Sequence, residues 1–224
     1  MTSGDVGVLV PAAGRGERLG PGAPKALRLL AGEPLLVHAV RSLRAAPSVG
    51  PIVVAAPPDD VDGVVALLAG LDAVVVAGGA ERQDSVALAL AALPSDVDRV
   101  LVHDAARCLV PASVVEAVAA ALRDGAQAVV PVLPVADTVK QVDAEGDVVR
   151  TVPRAELRAV QTPQGFAREV LERAHRSAGA GATDDASLVE ALGVRVATVE
   201  GSEEAFKVTR PLDLELAEAV LRGR

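Results

Sequence analysis

From residue 11 to residue 25 the chain reads Pro-Ala-Ala-Gly-Arg-Gly-Glu-Arg-Leu-Gly-Pro-Gly-Ala-Pro-Lys. Small residues at Ala12, Ala13, Gly14 and Gly16 let backbone amides approach a ligand closely. A run of such amides can cradle phosphate. Arg15, Arg18 and Lys25 add three cations within eleven residues of an acidic chain. Glycines and cations together suit a polyphosphate. A tight turn with solvated arginines explains the glycines alone, but not the glycines combined with Arg18 and Pro24-Lys25. Two common nucleotide loops are excluded. The dinucleotide fingerprint needs glycine at position 19 and meets Leu19, and no Gly-Lys-Ser/Thr ending makes a P-loop.

The elements that must hold this loop follow from the apolar runs. Val6–Val10, Ile52–Ala56, Ala73–Ala77, Val100–Val102 and Ala128–Val132 are continuous rather than alternating. Such runs suit strands buried on both faces of a parallel sheet. Between them lie helical patterns. Leu35–Arg44 puts Leu36, Val40 and Leu43 on one face. Val61–Leu71 and Ser85–Leu93 are similar. Pro111–Arg123 carries Val114, Val118 and Leu122 every four residues and stops before Gly125. Helices resume at Arg168–Ser177, Asp185–Leu192 and Pro211–Leu221, with a strand at Val194–Val199. The alternation predicts an α/β fold with a doubly wound, mostly parallel sheet. In such sheets ligands bind beyond the carboxyl ends of the strands, where residues 11–25 fall.

The alternation breaks at residues 134–160. Two polar–apolar stretches there flank Asp143-Ala-Glu-Gly-Asp147, a β-hairpin signature. The hairpin is too polar for core and too long for a simple loop. We read it as a projecting β-arm that meets a second subunit, which predicts a homodimer. The pattern by itself fits a solvated surface hairpin equally.

At 224 residues the chain suits one domain, 1–224, with the arm as an insertion. Hydrophobic residues at 50% and charged residues at 23% exclude intrinsic disorder. Two Phe, with no Trp or Tyr, exclude the aromatic platforms of single-stranded nucleic-acid binders. A formal charge of −8 speaks against a nucleic-acid partner. One cysteine, Cys108, excludes an intrachain disulfide and fits a reducing compartment. No signal peptide is visible, and the most apolar stretch, Val64–Ala80, is too short and broken to span a bilayer. A soluble cytoplasmic protein with no membrane partner is expected.

Further motifs occur after the loop in order. They are Ala80-Glu-Arg-Gln-Asp-Ser85, His103-Asp-Ala-Ala-Arg107, Asp137-Thr138, Gln161-Thr-Pro-Gln164, Thr183-Asp-Asp-Ala-Ser187 and Lys207-Val-Thr-Arg-Pro211. With the loop, they make essentially the whole chain resemble the 2-C-methyl-D-erythritol 4-phosphate cytidylyltransferase family, which has a Rossmann-like nucleotidyltransferase fold. The cyclase domain fused to some members is not expected here.

The resemblance implies transfer of CMP from CTP to methylerythritol phosphate, releasing pyrophosphate, in non-mevalonate isoprenoid biosynthesis. It makes Arg18, Lys25 and Lys207 the catalytic cations. It assigns the nucleotide to Pro11, Ala12, Ala13, Gly14, Arg15 and Gly16, with Gly79, Ala80, Arg82, Ser85, Asp104 and Ala105. It assigns the acceptor to Arg107, Thr138, Arg154, Thr162, Thr183 and Lys207, with Thr138 and Arg154 reaching the neighbouring subunit's site. Asp104 directly follows a predicted strand, so its carboxylate suits Mg²⁺, which takes few protein ligands. Arg107 would position Asp104 or the acceptor, and Ser85 could also begin a helix as a cap. His103 reads as a packed or hydrogen-bonding residue, and His38 and His175 as ordinary helix positions. The family often has a carboxylate where this chain has Ala80, and a proline where it has Cys108.

Three other readings remain for comparison. A ribitol- or other alditol-phosphate cytidylyltransferase would share the loop, Asp104 and the arm. Leu19 and the clustered cations oppose a nicotinamide-dependent dehydrogenase. A silent nucleotide-binding module has no need of Arg18, Lys25, Asp104 and Lys207 together.

Overall fold

The computed structural model describes residues 4–14, 23–177 and 184–224. The first strand, β1 (Val6–Pro11), leads into the loop; β2 (Leu29–Leu30) and β3 (Glu33–Pro34) form a small ribbon behind it. Then come α1 (Leu35–Arg44), β4 (Val49–Ala56), α2 (Val61–Leu67), β5 (Ala73–Ala77), α3 (Arg82–Ala92), β6 (Arg99–Val102), α4 (Ala112–Arg123) and β7 (Ala128–Pro134). The arm is β8 (Val139–Val142) and β9 (Val148–Val152). The chain continues through β10 (Arg158–Val160), β11 (Gln164–Ala167), α5 (Arg168–Ser177), α6 (Asp185–Ala191), β12 (Ala197–Glu200) and α7 (Pro211–Gly223).

The main sheet runs β10-β7-β11-β6-β1-β4-β5, with β12 also paired to β7. β1 lies parallel to both β4 and β6, β4 to β5, and β12 to β7. Side chains alternate across the sheet. Val6, Val8 and Val10 therefore face a core with α1, α2 and α4, while Leu9 and Val53 face one with α3, α5 and α6. This is the doubly wound arrangement the alternation predicts. Leu36, Val40 and Leu43 of α1, and Val114, Val118 and Leu122 of α4, are all buried. Gly125 has φ of 97°, the left-handed turn that ends α4.

Several expectations need correction. The run Ala73–Ala77 is not buried on both faces: β5 is the sheet's edge, and Val74 is 55% exposed. A β-branched run reports strand propensity, whereas its place in the sheet depends on which strands pair with it. A strand that the sequence reading did not predict separates the fourth and fifth runs. β11 lies between β6 and β7, antiparallel to both, and buries Phe166 completely. Four residues, Gln-Gly-Phe-Ala, are too few to declare a strand by pattern. Gly165 fits there because a Cβ would stand 2.5 Å from Val118 Cγ1. The last strand begins at Ala197 rather than Val194, and α2 ends at Leu67. The arm's strands do form, and Val142, Val148 and Val149 are more than half exposed along them. No helix among the described residues is long and apolar enough to cross a membrane.

Candidate active site

A cleft opens at the carboxyl ends of β1, β5 and β6. Its first wall is the end of β1 and the start of the glycine loop: Pro11, Ala12, Ala13 and Gly14. The Ala12 amide donates to Ala55 O at 2.8 Å, which fixes the chain's exit from the sheet. The Lys25 amide donates to Gly14 O at 3.3 Å, and Lys25 lines the same cleft. Arg15, Gly16, Arg18 and Thr183 lie outside the described residues.

The second wall is Gly79, Ala80, Glu81, Arg82 and Ser85, at the start of α3. This helix begins at Arg82, three residues before the expected start, so Ser85 is not its cap. Glu81 is the N-cap, and its amide donates to Asp84 Oδ2 at 3.1 Å. Ser85 Oγ instead accepts from the Gly79 amide and donates to Glu81 O, each at 3.1 Å. Those bonds fold residues 79–81 against the helix. A Cβ on Gly79 would stand 2.2 Å from Asp84 Cβ, so only glycine fits there.

The floor is Asp104, Ala105 and Lys207. Lys207 Nζ meets Asp104 Oδ2 at 2.7 Å and Arg82 Nε meets Oδ1 at 3.3 Å. Burial by itself would raise the Asp104 pKa. Arg82 and Lys207 outweigh it and hold the carboxyl well below the usual range. Arg82 donates also to Asp185 Oδ2 at 2.7 Å, so two carboxylates hold it. His175 is therefore not an ordinary helix position: its Nε2 lies 3.0 Å from Asp185 Oδ1. Glu81, Asp185 and His175 escaped sequence reasoning. Asp185 and Glu81 sit inside quoted motifs, whereas nothing in the pattern of α5 distinguishes His175. His38 is buried, with Nε2 2.9 Å from Leu30 O.

Behind the floor, the Asp104 amide donates to Thr162 Oγ1, and Thr162 Oγ1 lies 3.1 Å from His103 Nδ1. Arg107 O can only accept, so His103 Nε2 carries a proton and donates to it at 3.2 Å. Burial keeps the ring neutral, so Nδ1 accepts the Thr162 hydroxyl proton. Burial accordingly depresses the His103 pKa from 6.5 to about 4. The unfolded chain takes up a proton below 6.5 that the folded chain refuses. Stability present above this value is thus lost as pH falls toward 4, by up to about 3 kcal/mol. Asp104 and Asp185 are both lowered, so their contributions fade only at more acid pH. Thermal melts across this window should slope steeply for the native chain and less for His103→Gln. Equal slopes would refute the assignment.

Arg107 does not bond Asp104. It donates to Ala205 O at 2.8 Å and Val160 O at 3.1 Å, bracing the segment before Lys207 against the end of β10. Its Nε is buried without a hydrogen-bond partner. Arg82, Asp104, Arg107, Thr162, Asp184 and Lys207 line a second cleft. The two clefts share Arg82, Asp104 and Lys207. Thr138 and Arg154 are exposed and line neither; Arg154 donates to Ala136 O within the arm's base. Cys108 is buried, which raises its thiol pKa to about 12 and leaves it unreactive.

Among the described residues no group of three or more His, Cys, Asp or Glu could hold a metal by itself. Mg²⁺ nonetheless fits. It binds through one or two carboxylates, phosphate oxygens and waters. Asp104 offers one ionised carboxylate on the cleft wall.

The sequence profile described as 2-C-methyl-D-erythritol 4-phosphate cytidylyltransferase matches residues 6–223. The chain belongs to this cytidylyltransferase family. A protein of that name from Frankia casuarinae is 63% identical over 221 residues, covering 99% of this chain and 83% of its own. One from Streptomyces avermitilis is 60% identical, covering 96% and 91%. The crystal structure of the Thermus thermophilus cytidylyltransferase superposes with a TM-score of 0.77 at 43% identity, covering 96% of this chain and 98% of that one. These relatives are named for methylerythritol phosphate, so the ribitol-phosphate alternative is not favoured.

Proposed function

We propose that this cytidylyltransferase seats CTP in the first cleft and 2-C-methyl-D-erythritol 4-phosphate in the second, and joins them over Asp104. CMP passes to the acceptor phosphate, and pyrophosphate leaves. The observation that carries this reading is that the two clefts share Arg82, Asp104 and Lys207. A nucleotide on one side and a phosphate nucleophile on the other would meet there.

The acceptor phosphate is already ionised at neutral pH, so the protein need not remove a proton. Its tasks are alignment and stabilisation of the charge that builds on the α-phosphoryl group and leaving pyrophosphate. Lys25 faces the triphosphate, and Lys207 faces the phosphate being attacked. Mg²⁺ would be held by Asp104 and would supply charge neutralisation on the phosphates. Thr138 and Arg154 serve a second copy of the chain, so the active unit is a homodimer with shared sites. A planar guanidinium on an exposed arm suits bidentate capture of the acceptor's phosphate.

Pyrophosphate release, measured with CTP or UTP against methylerythritol phosphate or ribitol phosphate, tests the reaction. Turnover is expected only with CTP and methylerythritol phosphate, and is expected to stop on chelation of Mg²⁺. Turnover confined to ribitol phosphate would overturn the acceptor, and undiminished turnover under chelation would remove the metal.

A further inference from the structure

We infer that Asp185 is a positioning residue for the cleft carboxylate, acting through Arg82, and that His175 anchors it. The inference rests on the reaction proposed above.

Four charged groups alternate in sign from the cleft inward: Lys207, Asp104, Arg82 and Asp185. They come from the segment before α7, the turn after β6, the start of α3 and the start of α6. No sequence-local force assembles them. Asp185 is 1% exposed, and a carboxylate so buried is tolerated only when its oxygens are met. Both are: Arg82 Nη1 takes Oδ2 and His175 Nε2 takes Oδ1.

The guanidinium is planar, so fixing one donor fixes the direction of the others. Asp185 holds Nη1, and Nε of the same plane then faces Asp104 Oδ1. That leaves Oδ2 to Lys207. Without Asp185, Arg82 can turn its Nη groups onto Asp104 or swing toward bound phosphate, since its side chain is one-third exposed. Either movement changes how Asp104 presents its oxygens.

Asp185 is itself held from both sides in sequence. Gln164, buried in β11, donates from Nε2 to Asp184 Oδ2 at 2.7 Å and accepts from the Ala186 amide at 3.1 Å. One carboxamide thus pins the residues before and after Asp185. This gives the last Gln of Gln161-Thr-Pro-Gln164 a structural task alongside its place in the lining of the second cleft. Positioning groups behind a reacting centre matter because a displacement of about 1 Å costs on the order of 10²-fold in rate.

The test compares Asp185→Asn, Asp185→Glu, Arg82→Gln and the Arg82→Gln/Asp185→Asn double variant in full-length protein, well below their melting temperatures. Asp185→Asn should lower kcat for pyrophosphate release by about 10²-fold with KM for CTP little changed, and Asp185→Glu should recover part of it. In the Arg82→Gln background the same change should add nothing, because the two act as one unit. A purely structural Asp185 would lower the melting temperature, leave kcat of the folded protein intact and act equally in both backgrounds. Either of those kinetic results overturns the inference.

If Asp185→Asn fails to fold, His175→Leu and His175→Gln replace it. Leucine should lower kcat and glutamine, which keeps an N–H donor, should retain it; equal activity overturns the anchor. The Arg82 Nε–H resonance gives a readout without turnover. It should be protected from exchange in the native chain and lose protection when Asp185 is changed; unaltered protection overturns the link. A native chain that releases no pyrophosphate from CTP would count against the proposed reaction instead.

Discussion

Replacing Lys207 with alanine is expected to lower kcat for pyrophosphate release by about 10²–10³-fold, the usual cost of one preorganised charge at a developing anion. Lys207 stands 2.7 Å from Asp104 on the wall common to both clefts. Its ammonium lies beside the carboxylate common to both clefts, where acceptor and nucleotide would meet. The variant should fold. Lys207 is 38% exposed in its side chain, and Asp104 keeps Arg82 as a partner after the change. The ammonium end of the pair is partly solvated and Arg82 still offsets the burial of Asp104, so the loss in stability should be modest. Rate and stability should therefore separate: large kinetic loss, small change in melting temperature. Lys207→Arg keeps the charge but spreads it over a planar fork, so it should recover only part of the rate. Asp104→Asn should be comparably impaired and should weaken the dependence on Mg²⁺ concentration. A Lys207→Ala enzyme with near-native kcat would remove this side chain from the reaction.

The second large effect concerns the arm. Arg154→Ala should be nearly inactive as a homodimer, although Arg154 lies outside both clefts of its own chain. Lys25→Ala should be nearly inactive from within the cleft. Mixing the two after unfolding and refolding should restore activity. In a dimer with crossed contributions, each mixed pair has one doubly defective site and one intact site. Half of all dimers are mixed at equal input, so about one quarter of native activity should return. Arg18→Ala in place of Lys25→Ala should behave in the same way. No recovery, with mixed dimers demonstrated by mass, would confine Arg154 to its own subunit or to no role at all. The exposed valines Val142, Val148 and Val149 give the arm an apolar surface suited to such a contact.

The pH behaviour of the native fold complements these tests. His103 is held neutral by a hydroxyl that donates to one ring nitrogen and a carbonyl that accepts from the other. Protonation would reverse the first bond and turn the Thr162 hydroxyl proton away from the ring, and the Asp104 amide shares that hydroxyl. Acid therefore loosens the turn that carries the cleft carboxylate before it protonates the carboxylate itself.

Much of the molecule was legible in its residues. The order of strands and helices followed from hydrophobic period, because a segment must match its own geometry before it packs. The glycine loop, Lys25 and Asp104 stood out by residue type and by their place just beyond predicted strands, whereas Arg82 and Lys207 entered as what the family resemblance implies. The helix end at Arg123 was placed by its local stop signal, Gly125. Tertiary structure alone decided the rest. Whether Ala73–Ala77 was an edge, and that Gln164–Ala167 lay between β6 and β7, depended on pairing partners far away in the chain. The Asp104–Arg82–Asp185–His175 line was invisible because each link joins residues from separate segments. Sequence spacing carries the period of one element; it carries no distance between two elements, and buried charge pairs are set by that distance.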